Sequence, residues 1–186
     1  MALLHFLRNI LQLVLAPSQA WKDIENEDTL PETLTSRGLY PMMALMLVTV
    51  FIRPLYGIGD FDLIRLLQTA LVQFVALFIA LYAGRSVMEH FLPSYNATAE
   101  RDPIATYTVA IYGTGLMVLI QMIENLLPIE LTVIQLLPAF AAVCIWKSDK
   151  YLDLRPQGEV PFMIISILSL IAPVILINML MSFLMS

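Results

Sequence analysis

The sequence predicts an all-α polytopic membrane protein, a five-transmembrane-helix bundle with an N-terminal interfacial amphipathic helix. Three observations predict it. Of the 186 residues 59% are apolar and only 13% charged, against roughly 45–50% and about 25% in soluble domains. The mean hydropathy is +0.80. The apolar residues also fall in blocks close to the roughly 20 that cross about 30 Å of hydrocarbon. Helices satisfy their own backbone groups in lipid, which a lipid-exposed loop could not, so a helical reading of these blocks is much safer than a strand reading. The expected division is a cytoplasmic or interfacial segment, 1–38, and a five-helix transmembrane domain, 39–186.

In residues 3 to 16, His5, Arg8, Asn9 and Gln12 recur at spacings of three and four among leucines, isoleucine, phenylalanine and valine. This is an amphipathic helix with a narrow polar stripe. It is too short to span, so it lies in the interface, with Arg8 as an anchor, or docks on the bundle. Ile10 to Ala16 followed by Ser18-Gln19-Ala20 faintly resembles a signal peptide. The absence of basic residues in Met1 to Leu4 and the interruption by Arg8, Asn9 and Gln12 argue against cleavage. Pro17 stops the first helix and Ser18 can cap a second, whose Trp21 and Ile24 share an apolar edge. Trp21 suits a membrane interface. Lys22 to Glu32 carries Asp23, Glu25, Glu27, Asp28 and Glu32 against one lysine. It reads as a solvated linker or as an attractor for a cation or basic partner.

The spans are expected at Leu39 to Ile58, Leu63 to Gly84, Ile104 to Ile123, a fourth beginning near Leu126 to Leu131 and ending at Trp146, and Pro161 to Met185. Arg8, Lys22, Arg37, Arg85, Arg101, Lys147, Lys150 and Arg155 fall on one side of these spans, and only Arg53 and Arg65 on the other. The positive-inside rule then puts the amino terminus in the cytoplasm and Ser186 outside. Asn96-Ala97-Thr98 matches a glycosylation acceptor but falls on the cytoplasmic side, where the match is chance.

Intramembrane polar groups are the candidate functional residues, because burying ionisable groups in lipid costs about 2.5–3.5 kcal/mol on insertion scales. Arg53 is expected near the far interface, snorkelling or paired with Glu124 or Glu130. On the third span Tyr107, Ala110, Thr114, Met117, Gln121 and Glu124 form a stripe, with Gly113 and Gly115 beside it. Small residues and hydroxyls suit close helix contact. A polar path lined by Tyr107, Tyr112 and Gln121 is the functional alternative. Ser166, Ser169 and Pro173 share a stripe on the fifth span, and Pro138 and Pro173 are expected to kink their helices.

Chemistry has little foothold. Cys144 is the sole cysteine, so an intrachain disulfide and a cysteine-built metal site are excluded. No zinc-protease helix, nucleophile elbow or phosphate-cradling glycine loop occurs, and His5 and His90 stand far apart. Neither cofactor nor metal is expected. With a formal net charge of -5 and no basic run, nucleic acid is ruled out as a partner.

Leu15 to Trp21 with Ile24, then a polar stretch, Leu39-Tyr40-Pro41 opening the first span, and Tyr107 to Gly113 in the third follow the order of the Yip1 family. The chain resembles a bacterial Yip1-domain membrane protein over nearly its whole length. Pro17, Trp21 and Ile24, as Pro-x-x-x-Trp-x-x-Ile, are its most specific element. Eukaryotic relatives are linked to vesicle trafficking and prenylated small GTPases; their Asp-Leu-Tyr-Gly-Pro sequence is absent here, and no partner residues are carried over. The resemblance implies the five-span topology and a protein that is not an enzyme. The expected function is an adaptor or scaffold of the bacterial inner membrane. Its expected partners are membrane lipids, other membrane proteins or further copies of itself. The alternative is a small oligomeric permease or channel using the polar faces of the third and fifth spans.

Overall fold

The computed structural model describes residues 2–27, 29–56, 61–95, 103–127 and 136–185. Among the described residues the regular structure is helical, with no strands. We name the helices α1 (Ala2–Leu15), α2 (Pro17–Asn26), α3 (Pro31–Tyr56), α4 (Leu63–Phe91), α5 (Pro103–Leu126) and α6 (Leu137–Trp146). The last, α7, joins Glu159–Ser166, Ile167–Ile171 and Ala172–Met185.

Among the described residues four stretches are long and apolar enough to cross a membrane: Pro31–Tyr56, Leu63–Tyr95, Ile104–Leu126 and Pro156–Leu180. The expected fourth span is described only as the ten-residue Leu137–Trp146, and 128–135 lie outside the described residues. The first span begins earlier than Leu39. Pro31 opens it, where a missing N–H costs nothing, and the helix continues through Thr35–Leu39 as a π turn. The expected boundary at residue 38 therefore falls inside a helix.

α5 is the central helix. It has the lowest hydropathy of the four spans, 1.5, yet 83% of its apolar window is buried, against 33% for α4 and α7. The reason lies in its glycines. Gly113 and Gly115 are about 200° apart around the helix and admit different neighbours. A Cβ on Gly113 would meet Leu170 at 2.8 Å and Ile145 at 3.2 Å, whereas one on Gly115 would meet Ile10 at 2.6 Å and Phe6 at 3.1 Å. α6 and α7 thus approach one side and α1 the other. The outer helices turn large apolar side chains outward, as Leu67, Leu71, Val75 and Ile79 do on α4, which suits contact with lipid tails.

Prolines set two local departures. Pro41 and Pro173 have no N–H for the residue four before, and each follows a π turn by the same spacing. Tyr40 N–H bonds the Thr35 carbonyl, and Ala172 N–H bonds Ile167. The ladder skips a residue and the helix continues. At Pro173, where a kink was expected, the Ile167–Ile171 π turn precedes the proline. Pro138 lies in the first turn of α6, where proline needs no kink.

α1 and α2 belong to the same core as the spans. Phe6, Ile10, Leu13, Ala20, Trp21 and Ile24 are buried in one apolar cluster with α3, α5 and α6. Of the two placements expected for the first helix, docking is the one observed, while Leu4, Leu11 and Leu15 remain exposed on its outer face.

Candidate functional site

The polar stripe of α1 finds its partners in the acidic stretch that follows it. Asn9, 3% exposed, donates from Nδ2 to Glu27 Oε2 at 2.9 Å and to the Tyr112 hydroxyl at 3.1 Å. His5 Nε2 and an Arg8 guanidinium nitrogen lie 3.1 and 3.7 Å from Glu27 Oε1. Gln12 donates to Asp23. The buried amide is satisfied on both N–H bonds, and the stripe clamps α2 against α1. Arg8, expected as an interfacial anchor, is largely exposed and meets Glu27 through the tip of its side chain.

Aromatic packing locks this hairpin to the bundle. Phe6 stacks on Tyr112 with centroids 5.2 Å apart, and Trp21 meets Tyr112 edge-on at 6.0 Å. The Trp21 indole N–H donates to the Cys144 carbonyl at 2.9 Å. Trp21, expected at a membrane interface, is thus 2% exposed and surrounded by protein. Trp21→Ala removes both the packing and the bond, and large aromatic truncations in a core cost about 3–5 kcal/mol. We expect maleimide to label Cys144, the only cysteine and fully buried, at least about tenfold faster in that variant, since local opening governs access. An unchanged rate would show that Trp21 does not hold α2 in place.

A second polar system runs along α5. Tyr107, Ala110, Thr114, Met117 and Gln121 are all buried, as the helical spacing anticipates. Glu124 leaves this stripe and is exposed. Asn125, which the spacing of the stripe passed over, takes its place. Its Nδ2 donates to Thr49 at 3.1 Å and to Gln73 at 3.0 Å, and Gln73 donates back to Asn125 Oδ1 at 3.1 Å. One amide thereby ties α3, α4 and α5 together. At the other end the Arg85 guanidinium lies 3.9 Å over the Tyr107 ring and bonds Glu89 at 2.6 Å, and the Tyr107 and Thr35 hydroxyls are 3.2 Å apart. Of Arg53 only the backbone is described, and Glu130 lies outside the described residues. The expected pairing of Arg53 with Glu124 or Glu130 therefore falls outside them too.

Between those ends the stripe is unsatisfied. Thr114 Oγ1 and both amide atoms of Gln121 have no hydrogen-bond partner among the described residues, and neither do the Ser166 and Ser169 hydroxyls of α7. Tyr112, grouped with Tyr107 and Gln121 as a path, instead belongs to the α1–α2 clamp.

No known protein family, curated protein or solved structure matches the chain. The site is therefore read from its own residues. Among those described, no group of three His, Cys, Asp or Glu side chains is placed to hold a metal ion.

Two clefts flank α2 where it meets the ends of α5 and α6. One, of about 190 Å³, is lined by Ile24, Glu25, Glu27, Thr29, Leu30, Leu34, Ile104, Ala105, Thr108, Tyr112 and Tyr151. The other, of about 180 Å³, is lined by Ser18, Trp21, Lys22, Glu25, Lys147, Asp149, Lys150 and Tyr151. The first has carboxylates and no basic residue. The second has three lysines beside Glu25 and Asp149. Sequence reading missed this convergence because Lys22 and Lys147 are distant along the chain, and it is the fold, through the Trp21 contacts with Cys144 and Tyr151, that brings α2 to the end of α6.

Proposed function

We propose that the chain is a non-enzymatic, Yip1-type protein of the bacterial inner membrane that acts as an adaptor, organising lipid or protein partners at its cytoplasmic face. The observation that supports this most is the docked α1–α2 hairpin, which builds two charged clefts at one end of the apolar helices. The lysines and arginines gathered at that end favour the cytoplasmic side. The apolar Leu137–Trp146 helix supplies the inner part of a fifth span. The order of sequence elements resembling the Yip1 family supports the same reading.

In-membrane crosslinking of the full chain, compared with Trp21→Ala, tests the adaptor role. Loosening the hairpin is expected to reduce crosslinked partners, including a second copy, by about tenfold while the protein remains in the membrane. Equal recovery from both proteins would overturn the role.

The unpartnered polar atoms on α5 and α7 favour a second reading, a small oligomeric permease in which Thr114, Gln121, Ser166 and Ser169 line the route. Intramembrane polar side chains commonly mark pathways. Flux of ions or small solutes through proteoliposomes is what this reading requires.

A further inference from the structure

The two clefts share Glu25 and Tyr151, so an acidic recess opens beside a basic one. Among the described residues Lys22, Lys147 and Lys150 have no ion-pair partner. Lys147 is held 4.7 Å from the Trp146 ring centroid. The platform that carries Lys147 and Lys150 is a tight turn: Leu152 N–H bonds Ser148, Leu154 N–H bonds Asp149, and Arg155 N–H reaches the Tyr95 carbonyl at 2.9 Å. The opposite wall is one face of α2, where Ser18, Lys22 and Glu25 follow at helical spacing, backed by the buried Trp21. Glu27 is answered by His5, Arg8 and Asn9. Glu25, shared by both clefts and without an ion-pair partner among the described residues, is thus the carboxylate left for a ligand. Beside three lysines it suits one that carries both charges.

We propose that this paired cleft binds the headgroup of an amine-bearing zwitterionic phospholipid, a phosphoethanolamine, with its phosphate among Lys22, Lys147 and Lys150 and its ammonium donating to Glu25. The inference rests on the adaptor reading and names the lipid it would organise. A primary ammonium has N–H donors for the carboxylate, whereas a choline headgroup has the phosphate but no donor. A purely anionic headgroup would leave Glu25 unanswered. A lipid source is favoured over a free solute by what adjoins the clefts. Leu15, 84% exposed, ends α1 three residues before Ser18, and Val143, also exposed, lies one turn before Lys147. Acyl chains have an apolar surface to follow from the cleft into the bilayer.

The chain carries its own probe: Trp21 lines the lysine cleft, and Trp146, its other tryptophan, has its ring centroid 4.7 Å from the Lys147 ammonium. The full-length protein is reconstituted in phosphatidylcholine vesicles containing an equal fraction of acyl-brominated phosphatidylethanolamine, phosphatidylglycerol or phosphatidylcholine, and quenching of tryptophan emission is compared. Brominated phosphatidylethanolamine is expected to occupy the site about fivefold more than brominated phosphatidylcholine, the scale of one charge at a membrane surface. Glu25→Gln is expected to abolish that preference. Lys22→Gln combined with Lys150→Gln is expected to reduce quenching by either phospholipid at this site. These side chains are exposed, and circular dichroism of each variant checks that the helices are retained.

Equal quenching by all three lipids would overturn the proposal. So would a preference for phosphatidylglycerol that survives Glu25→Gln, which describes a basic belt for anionic lipid. Loss of the preference on adding millimolar free phosphoethanolamine would assign the site to a soluble solute and overturn the lipid source. Failure here leaves partner crosslinking through the hairpin unaffected, whereas failure of the adaptor role shows in that crosslinking whatever the lipid preference.

Discussion

Gly84→Leu is expected to separate α4 from α7 and to lower the stability of the detergent-solubilised protein by about 3 kcal/mol or more, at or beyond the upper end of overpacking costs in soluble cores. A Cβ at Gly84 would lie 2.4 Å from Leu170 Cδ2 and 3.1 Å from the Ser169 carbonyl oxygen. The second atom is backbone and cannot swing aside. Leu170 cannot escape either, because its other methyl, Cδ1, is 2.8 Å from the Cβ position of Gly113 on α5. One leucine is thus gripped by glycines of two helices, the close approach that small residues permit in membranes. The cost exceeds the roughly 1 kcal/mol of helix propensity gained by replacing glycine.

Thermal unfolding in mild detergent measures the effect. Gly84→Ala provides a graded version, and adding Leu170→Ala to it should recover part of the loss, a coupling expected only of residues in contact. An unshifted unfolding midpoint for Gly84→Leu would mean that the contact between α4 and the π turn contributes little.

Much of this arrangement was legible in residue spacing, and the limits follow from what spacing encodes. The buried face of α5 was readable because helical periodicity places Tyr107, Thr114 and Gln121 on one line whatever surrounds the helix. The end of that line was not. Spacings of three and four both continue a helical stripe, so Glu124 and Asn125 were close competitors on pattern alone, and only Thr49 and Gln73 on other helices select the amide. The polar stripe of α1 was equally plain, but not the direction it faces. Asp23 and Glu27, readable as solvated linker charge, are the groups that satisfy it. The proline at 173 signalled a break in the ladder, and the π turn that precedes it, Ile167–Ile171, is where the ladder shifts register while the helix continues.

Gln121→Leu has the second largest expected effect, and it separates the two functional readings. Gln121 is 2% exposed, and neither amide atom has a protein partner among the described residues. Burying an uncompensated amide costs about 1–3 kcal/mol by protein mutational measures. Leucine keeps much of the volume and removes the polar atoms. If α5 serves only as the packed centre of a scaffold, the variant should unfold at higher temperature, gaining roughly that free energy, and partner crosslinking should be unchanged. If the amide instead faces a solute route, wild-type proteoliposomes must conduct, and leucine must suppress the flux at least about tenfold by withdrawing the hydrogen bonds that replace the solute's hydration. We expect the first result. A stabilised protein without flux to lose eliminates the permease, because the amide is then a cost with no transported solute to offset it. Wild-type flux that Gln121→Leu abolishes would make α5 the wall of a conduit, with Thr114 as the next residue along it.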